Sequence, residues 1–375
     1  MHKKIRVGVV FGGKSFEHEV ALLSAKNVID ALSKDKYEVV VIGIDKNGEW
    51  HLRENERYLA DAHHPKLVQF AGSKQPIAVV PKEEGEQLVS LSKKIPLGSL
   101  DVIFPVLHGP NGEDGTIQGL LKLANIPFVG AGVLGSAIGM DKDVMKRLLR
   151  DAGIPTAKFI SIQSHLAHHF SFEKLQKELG LPFFVKPANA GSSIGISKVK
   201  KKEDFALAIA AAFQYDRKIL IEEFVEGREI ECSVLGNEHP IVSLPGEVIS
   251  AATEFYSYEA KYMESGGAIF KIPVELLPAE LSKVQTTSLQ AYQALCCEGM
   301  ARVDLFLKKN GEVLVNEINT IPGFTKLSVY PRLWEASGIP LPELVDRLIQ
   351  LALDRHQKEK QVKTSFIDLH EISQV

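Results

Sequence analysis

Between residues 301 and 319 the chain reads ARVDLFLKKNGEVLVNEIN, which is two strand-like runs joined by a polar turn. Residues two positions apart on a strand face the same side, so Arg302 and Asp304 share one face. Glu317 and Asn319 share a face of the second run for the same reason. A two-residue turn at the centre of this hairpin would place Asp304 directly opposite Glu317.

Two carboxylates that face each other across strands repel, so this pairing makes most sense if a hard cation lies between them. Oxygen ligands from Asp304, Glu317 and Asn319 suit Mg²⁺, which commonly takes one or two carboxylates together with substrate phosphates. The pattern therefore predicts a metal and phosphate site. It assumes a two-residue turn at Asn310-Gly311, whereas a four-residue turn would pair Arg302 with Glu317 as a structural salt bridge.

The composition is that of a globular protein, with 375 residues, 45% hydrophobic and 24% charged. That length suggests two or three domains of about 150 residues. A formal net charge of -3 gives no reason to expect nucleic acid or an anionic membrane as partner.

The chain begins without an apolar segment or cleavage site, so we expect a cytoplasmic protein with no signal peptide and no transmembrane helix. The three cysteines, Cys232, Cys296 and Cys297, fit neither a disulfide framework nor a zinc site and are expected in the core.

Apolar strand-like runs alternate with helical runs up to about residue 140, which predicts a parallel sheet covered by helices. The elements expected there are strands at 5–11, 39–44, 102–107 and 127–129 and helices at 20–32 and 116–124. The fold class is therefore α/β with α+β elements. The expected divisions are an N-terminal parallel α/β domain at 1–140, a second α/β unit at 141–228, a strand-rich unit at 229–356 and a weakly ordered tail at 357–375.

A strand ending at Lys186 is followed by the loop Gly191-Ser-Ser-Ile-Gly195. Such a loop can turn several backbone N–H groups towards one anion, and the lysine adds a point charge. The spacing is not that of a P-loop, and a glycine-serine loop alone is more often a plain turn. The metal hairpin in the same chain favours a phosphate site. Lys142 is either a second phosphate contact or a solvated side chain.

Residues 12–19 lie between the first strand and the first helix, at the edge of a parallel sheet where ligands collect. The segment lacks a G-x-G-x-x-G fingerprint, which counts against a dinucleotide. Glu17 is either a dipole-stabilised surface acid or the partner of a substrate ammonium. The glycine-rich segment 108–115 follows another strand and is expected to open on the same edge.

Two further segments have an open interpretation. Residues 222–229 are either an acidic linker or a connector whose backbone binds an adenine edge, with Glu229 accepting from ribose hydroxyls. Residues 253–267 are polar, aromatic and bounded by glycine, so they are either a lid or a surface loop. His165 and the pair His168-His169 lack an acidic or cysteine partner and are not expected to bind metal.

Taken together, these features resemble the D-alanine:D-alanine ligases of the ATP-grasp superfamily, from about Ile5 to Leu351. The resemblance rests on ordered motifs: GGKSFEHEV at 12–20, the loop at 108–116, Met140-Asp141-Lys142, Lys186-Pro187 with GSSIG at 191–195, YEAKY at 258–262, Arg302-Val303-Asp304 and NEINTIPG at 316–323. It implies a two-part ATP-grasp fold behind the N-terminal domain. It also implies an ATP-dependent ligase that makes D-alanyl-D-alanine for peptidoglycan precursors through an acyl phosphate.

The resemblance implies a role for individual residues. Asp304, Glu317 and Asn319 match the ligands of two Mg²⁺ or Mn²⁺ ions, with a monovalent cation such as K⁺ as an optional addition. The residues that match the ATP site are Lys142, Lys186, Ser192, Ser193, Glu222, Glu223, Phe224, Val225, Glu229, Lys261 and Asn316.

The amino-acid substrates have their own implied partners. Glu17 matches the acid that binds the ammonium of the first D-alanine, in a hydrogen-bonded trio with Ser192 and Tyr262. Arg302 and the N–H of Gly323 match the oxyanion site. The second D-alanine is expected beside His108 and Ser328. The motifs assign no base to its ammonium, and a homodimer is usual in the family.

Two rival functions remain. A ligase of the same class could take D-lactate or D-serine second, but depsipeptide-forming relatives lack the tyrosine that stands at Tyr262. A nucleotide-binding regulator could share the fold without turnover, although every expected catalytic position is filled here.

Overall fold

The computed structural model describes residues 3–54, 57–62, 64, 67–82, 85–250 and 268–363. The strands are β1 (Ile5–Gly12), β2 (Tyr37–Ile44), β3 (Trp50–Arg53), β4 (Leu59–Ala60), β5 (Gln69–Phe70), β6 (Lys74–Val79), β7 (Leu88–Ser90), β8 (Val102–Val106), β9 (Phe159–Gln163), β10 (Phe183–Pro187), β11 (Ser197–Val199), β12 (Lys218–Glu223), β13 (Arg228–Leu235), β14 (Ile241–Val242), β15 (Gly246–Ser250), β16 (Ala268–Lys271), β17 (Met300–Leu307) and β18 (Val313–Asn319). The helices are α1 (His18–Ala31), α2 (Thr116–Leu123), α3 (Val133–Met140), α4 (Lys142–Asp151), α5 (Phe172–Leu179), α6 (Lys202–Ala212), α7 (Pro278–Ala294), α8 (Val329–Ala336) and α9 (Leu341–Lys360).

The first sheet has the order β7-β6-β3-β2-β1-β8. β1 runs parallel to β2 and β8, which confirms the predicted parallel unit. β3, β6 and β7 extend it in antiparallel fashion and were not predicted, because residues 50–90 hold short strands without intervening helices. The strand expected at 127–129 is wrong. The structure has a single bridge there, between Ile103 and Phe128, before the chain turns at Gly130 with a φ of +94°.

The second and third sheets follow in chain order. The second is antiparallel, with the order β11-β10-β12-β9, and α5 and α6 pack against it. The third has the path β16-β15-β13-β17-β18 and carries the predicted hairpin at one edge. The chain is therefore a mixed α/β protein, as the alternation of patterns predicted.

The C-terminal helix α9 packs against the first sheet. Leu344 and Leu348 are fully buried in the same core as Val7 and Phe104. Arg355 fixes this packing by donating to the carbonyl oxygens of Phe128 at 2.8 Å and Gly130 at 2.6 Å. The two ends of the described chain thus share one core. We propose that boundaries near residues 140 and 228 separate three units, with α9 returning to the first.

Two smaller expectations need correction. The weakly ordered tail was expected from Gln357, but α9 continues to Lys360, and the part of the tail at 364–375 lies outside the described residues. Cys232 and Cys297 are buried as expected, whereas Cys296 is exposed. It follows the last turn of α7 with a φ of +54°, a left-handed conformation that ends the helix at the surface. Within the described ranges, no helix combines the length and the apolar character that crossing a bilayer requires.

Candidate functional site

The hairpin of β17 and β18 places Asp304 directly opposite Glu317, as predicted. The assumed two-residue turn is wrong. Lys308 N donates to Glu312 O at 2.9 Å and Gly311 has a φ of +76°, so the turn is a three-residue loop closed by a left-handed glycine. That loop alone would shift the pairing by one residue. A β-bulge restores it, because Asp304 pairs with Glu317 while Leu305 pairs with Val315.

The bulge makes Asn316 the extra residue of β18, and a bulge re-aims the side chains around it. Asn316 and Glu317 are consecutive, and on a regular strand they would face opposite sides. Both line the same cavity. The alternative salt bridge between Arg302 and Glu317 does not form, since Arg302 pairs with Asn319 across the strands and its guanidinium has other carboxylate partners.

A third carboxylate extends the pair into a row. β13 lies on the other side of β17, and Glu231 is the residue of β13 that pairs with Asp304. Glu231, Asp304 and Glu317 therefore occupy adjacent positions on three neighbouring strands. Directly opposed like charges destabilise a sheet unless cations compensate them, so this row marks a cation-rich site.

Arg302 supplies part of that compensation. Its Nε and Nη2 each lie 2.7 Å from an oxygen of Asp304, and its Nε lies 3.1 Å from Glu231 Oε2. Burial would lower the pKa of Arg302, but Asp304 and Glu231 more than offset this and hold it well above its ordinary value. The guanidinium is consequently a fixed, permanent charge at the centre of the row.

The donor set fits hard divalent cations. The carboxylates of Asp304 and Glu317 and the carboxamides of Asn316 and Asn319 offer oxygen ligands, which Mg²⁺ prefers. Asn319 Nδ2 lies 3.1 Å from Asp304 Oδ2, which brings the amide beside the carboxylate. Lys142 Nζ lies 3.3 Å from Glu317 Oε2, so this lysine compensates part of the negative charge of the row.

A cavity of about 430 Å³ opens beside this row. One part of its wall is apolar and includes Phe184, Ile196, Phe224 and Phe306, side chains of the kind that line small-molecule sites. The described residues predicted for the ATP site all line it: Lys142, Lys186, Ser192, Ser193, Glu222, Glu223, Phe224, Val225, Glu229 and Asn316. Sequence positions that are far apart thus converge on one space suited to a nucleotide.

A buried charge cluster lies at one end of this cavity. Glu222 accepts from Lys186 Nζ at 2.5 Å, and its second oxygen lies 2.7 Å from Lys146 Nζ. The Lys146 side chain is 0% exposed. Burial lowers the pKa of Lys146, and Glu222 opposes that shift. Burial alone would raise the pKa of Glu222, but the two lysines hold it below its ordinary value.

Glu222→Gln is expected to destabilise the fold by about 3–5 kcal/mol, because it leaves Lys146 buried without its counter-ion. Glu223→Gln is the matched control: Glu223 accepts from Lys158 N at 2.8 Å at the end of the same strand, and the amide oxygen keeps that bond. Urea unfolding measures the difference. Lys146→Met combined with Glu222→Gln should recover most of the loss. A single variant as stable as the control would contradict an ionised pair.

The second cavity adjoins the first, and Gly191, Ser192, Glu231 and Glu317 line both. The residues predicted to bind the amino-acid substrates line this second cavity: Glu17, His108, Ser192, Arg302, Gly323 and Ser328. Asn319 lines it as well. The shared wall means that a nucleotide phosphate in one cavity would meet a substrate in the other.

The Glu17 carboxylate accepts a hydrogen bond from Ser192 Oγ. Ser192 and Ser193 have φ values of +50° and +60°, a left-handed conformation that side chains other than glycine rarely adopt. Strained backbone of this kind is typical of ligand sites. The third member of the predicted trio, Tyr262, lies outside the described residues, as do Lys261 and the whole segment 253–267, for which a lid and a surface loop were the two predictions.

His108 is buried between the first sheet and the segment after β18. Its Nδ1 lies 3.0 Å from Ile321 O and its Nε2 lies 3.4 Å from Ser24 Oγ. Burial lowers the pKa of His108, against the opposing charge of Glu17. The ring is therefore neutral, with Nδ1 donating to the carbonyl oxygen.

Three charged residues of the site were not predicted as functional. The signal for Glu231 was its i, i+2 spacing from Glu229 on a strand. Lys146 follows Lys142 by one helical turn, which places both on one face of α4. Glu113 lies in the glycine-rich segment 108–115, which was expected to open on the sheet edge where ligands collect.

Family models match both halves of the chain. One described as "D-ala D-ala ligase N-terminus" matches residues 6–131, and one described as "D-ala D-ala ligase C-terminus" matches residues 148–350. A D-alanine–D-alanine ligase from Oceanobacillus iheyensis is 52% identical over 97% of this chain and 100% of its own. D-alanine–D-alanine ligase A from Escherichia coli is 49% identical over 97% and 100%.

Solved structures show the same similarity. The D-alanine-D-alanine ligase from Coxiella burnetii has a TM-score of 0.83 and 40% identity, covering 96% of each chain. The VanG D-Ala:D-Ser ligase from Enterococcus faecalis has a TM-score of 0.80 and 33% identity, covering 93% of this chain and 100% of its own. Ligases named for different second substrates therefore share this fold.

Proposed function

Because the chain belongs to the D-alanine–D-alanine ligase family, we infer that it is an ATP-dependent ligase that joins two D-alanines into D-alanyl-D-alanine for peptidoglycan synthesis. ATP and a divalent metal are its implied cofactors. The observation that supports this function best is the row of Glu231, Asp304 and Glu317, in which Glu231 and Glu317 line both cavities. Cations held by this row would lie between a nucleotide in one cavity and an amino-acid substrate in the other.

Asp304, Glu317 and Asn319 would hold two Mg²⁺ or Mn²⁺ ions, and K⁺ is an additional candidate elsewhere in the site. When bound, the metal ions offset the negative charge of the phosphates. Lys142 and Lys186, together with Lys261, would contribute further positive charge. The support for these roles is the oxygen-rich donor set and the position of both described lysines on the cavity wall.

ATP would enter the larger cavity. The adenine would lie against the apolar wall that includes Phe184 and Phe306, with the backbone of 222–225 along its edge, and Glu229 would accept from the ribose hydroxyls. Ser192 and Ser193 would face the phosphates from the glycine-serine loop, and Asn316 from the bulge.

The proposed reaction has two steps, activation of the first D-alanine and attack by the second. A free carboxylate is a poor electrophile, so the first D-alanine must be activated, and transfer of the γ-phosphoryl group to its carboxylate gives an acyl phosphate. The second D-alanine would lie beside His108 and Ser328 and attack that carbonyl carbon. Arg302 and the N–H of Gly323 would stabilise the oxyanion that forms. One such donor is worth ~2.7–4 kcal/mol.

Glu17→Gln is expected to raise the KM of the first D-alanine by roughly 10- to 100-fold, because a charge-assisted hydrogen bond contributes about 1.5–3 kcal/mol. The KM of ATP should stay unchanged. Glu19→Gln is the matched control, since Glu19 lies two residues away and pairs with Lys46 at 2.6 Å. An equal loss of nucleotide affinity in Glu17→Gln would reassign Glu17 to a structural role.

Phosphate release with D-alanine, D-serine or D-lactate as the second substrate tests the function. We expect phosphate and dipeptide in equal amounts with D-alanine, and the largest kcat/KM for it. Preference for D-lactate or D-serine would replace the dipeptide assignment, for which Tyr262 was the sequence argument. Nucleotide binding with no release under any condition would indicate a regulator.

We further propose that the enzyme works in the cytoplasm, where ATP is available, and as the homodimer that is usual in the family. Sedimentation at micromolar concentration checks the second proposal.

A further inference from the structure

Formation of the peptide bond needs a base that the proposed roles do not supply. The second D-alanine arrives as an ammonium ion, which has no lone pair and cannot attack a carbonyl. Glu17 is committed to the first ammonium and accepts from Ser192. Glu231 lies against Arg302, and Glu317 lies against Lys142 and within the proposed metal site.

Glu113 lines the same cavity and is held differently. Its Oε2 accepts from Gly109 N at 2.7 Å, and its Oε1 accepts from Ile321 N at 3.3 Å. No lysine or arginine within the described residues forms an ion pair with it. The carboxyl group therefore bridges the loop that carries His108 and the segment that leads to Gly323, and both of its hydrogen-bond donors are neutral backbone N–H groups.

The surroundings favour proton uptake by this carboxyl. Burial, reinforced by the negative charge of Glu17, raises the pKa of Glu113 to about 8. The two backbone N–H groups and the charge of Arg302 act in the opposite direction. The nearby His108 is neutral and uses Nδ1 to donate to Ile321 O, so it adds no positive charge.

We propose, on the basis of the ligase function above, that Glu113 is the general base that deprotonates the ammonium of the second D-alanine. An N–H bond of the ammonium breaks and an O–H bond to Glu113 forms. The freed lone pair adds to the acyl carbon. The nitrogen then gives its second surplus proton to the departing phosphate, and the tetrahedral intermediate collapses to the amide as the C–O bond to phosphate breaks. Glu113 then releases the proton to solvent. No oxidant or further reactant is required.

The position of Glu113, as well as its proton affinity, favours it as the general base. It contacts the backbone of Ile321, two residues before Gly323, so it lies beside the proposed oxyanion site. A base must come within hydrogen-bond reach of the proton that it removes. His108 is a poorer candidate, because its Nε2 faces Ser24 Oγ at 3.4 Å and burial disfavours the charged ring.

The test uses two nucleophiles on the full-length enzyme with ATP, Mg²⁺ and D-alanine. Hydroxylamine is already unprotonated at neutral pH, so it captures the acyl phosphate as a hydroxamate without a base. Glu113→Gln should reduce dipeptide turnover at least ~100-fold, in line with loss of general-base catalysis. It should leave hydroxamate formation within about 3-fold of wild type.

Asp114→Asn is the matched control from the same loop. Its carboxylate accepts from Asn111 N at 2.8 Å and Thr116 N at 3.0 Å, so damage to the loop should lower both products together. The same joint loss in Glu113→Gln would overturn the proposal in favour of a structural role, as would undiminished dipeptide formation. A wild-type enzyme that forms no hydroxamate would instead contradict the proposed function.

The pH dependence gives a second criterion. Because Glu113 must be deprotonated to act, wild-type dipeptide turnover should rise with pH and level off above about 8. Hydroxamate formation should lack this rising limb of the pH profile. Glu113→Asp retains a carboxyl and should keep the limb at a lower rate. Glu113→Gln should lose it. A limb that survives unchanged in Glu113→Gln belongs to another group and contradicts the assignment.

Discussion

Glu317→Gln is expected to cut ATP-dependent turnover at least ~100-fold while the fold stays intact, in line with loss of an electrostatic group that acts in the transition state. Glu317 faces Asp304 across the hairpin and lies 3.3 Å from Lys142. Glutamine has the same shape and relieves the repulsion between the two carboxylates, so the protein should remain folded. It cannot supply the charge that a divalent cation needs.

Glu312→Gln provides the control, because Glu312 belongs to the same hairpin but pairs with Lys308 at 2.7 Å on the surface. Steady-state turnover over a range of Mg²⁺ concentrations distinguishes the two variants. Glu312→Gln should match wild type. Near-normal activity of Glu317→Gln at saturating Mg²⁺ would remove Glu317 from the metal site.

Arg302→Lys is expected to lower kcat by roughly 10²- to 10³-fold with little change in the KM of ATP, because an oxyanion donor acts on the transition state. A lysine keeps the charge, so Asp304 and Glu231 remain compensated and the fold should persist. It cannot reproduce the planar fork that binds Asp304 through two nitrogens at 2.7 Å while also reaching Glu231.

Arg147→Lys is the matched substitution away from the site, since Arg147 pairs with Asp143 at 2.7 Å on α4 and its side chain is 54% exposed. It should leave both kinetic constants unchanged. If Arg302→Lys retained kcat within about 3-fold, the guanidinium would act only as a clamp on Asp304, and another donor would have to stabilise the oxyanion.

In the hairpin, the sequence pattern predicted the correct pairing of Asp304 with Glu317 from a turn that proved to be wrong. Side chains alternate between the two faces of a strand, and this geometry was enough to predict the faces on which Asp304 and Glu317 lie. The turn was predicted from Asn310-Gly311 alone, but the structure closes it with three residues and inserts a bulge at Asn316. Two adjacent polar residues, Asn316 and Glu317, were the local signal that regular alternation fails there.

Other parts of the site arise from contacts that no local pattern reveals. Lys146 lies in a helix of mixed charge and resembles a surface lysine in sequence, yet it is fully buried against Glu222. Its partner Glu222 lies on β12 of the second sheet, 76 residues further along the chain. Glu113 likewise acquires its position from Ile321, which is distant in the chain. Sequence motifs therefore do not reveal groups whose burial or position is set by contacts with distant parts of the chain.

The backbone fold alone does not determine the choice of second substrate. A ligase named for D-serine superimposes on this chain with a TM-score of 0.80. Its similarity covers 93% of this chain, so we expect side chains near the second cavity, rather than the arrangement of the sheets, to determine which nucleophile reacts. His108, Ser328 and Glu113 are the described residues to compare first.

Transfer of oxygen from substrate to phosphate tests the central claim most directly. D-alanine labelled with oxygen-18 in its carboxylate is supplied with ATP and Mg²⁺, and the released phosphate is analysed by mass spectrometry. Ligation through an acyl phosphate predicts one labelled oxygen in each phosphate and one D-alanyl-D-alanine for each ADP. Unlabelled phosphate, or phosphate released without dipeptide, would contradict the proposed reaction.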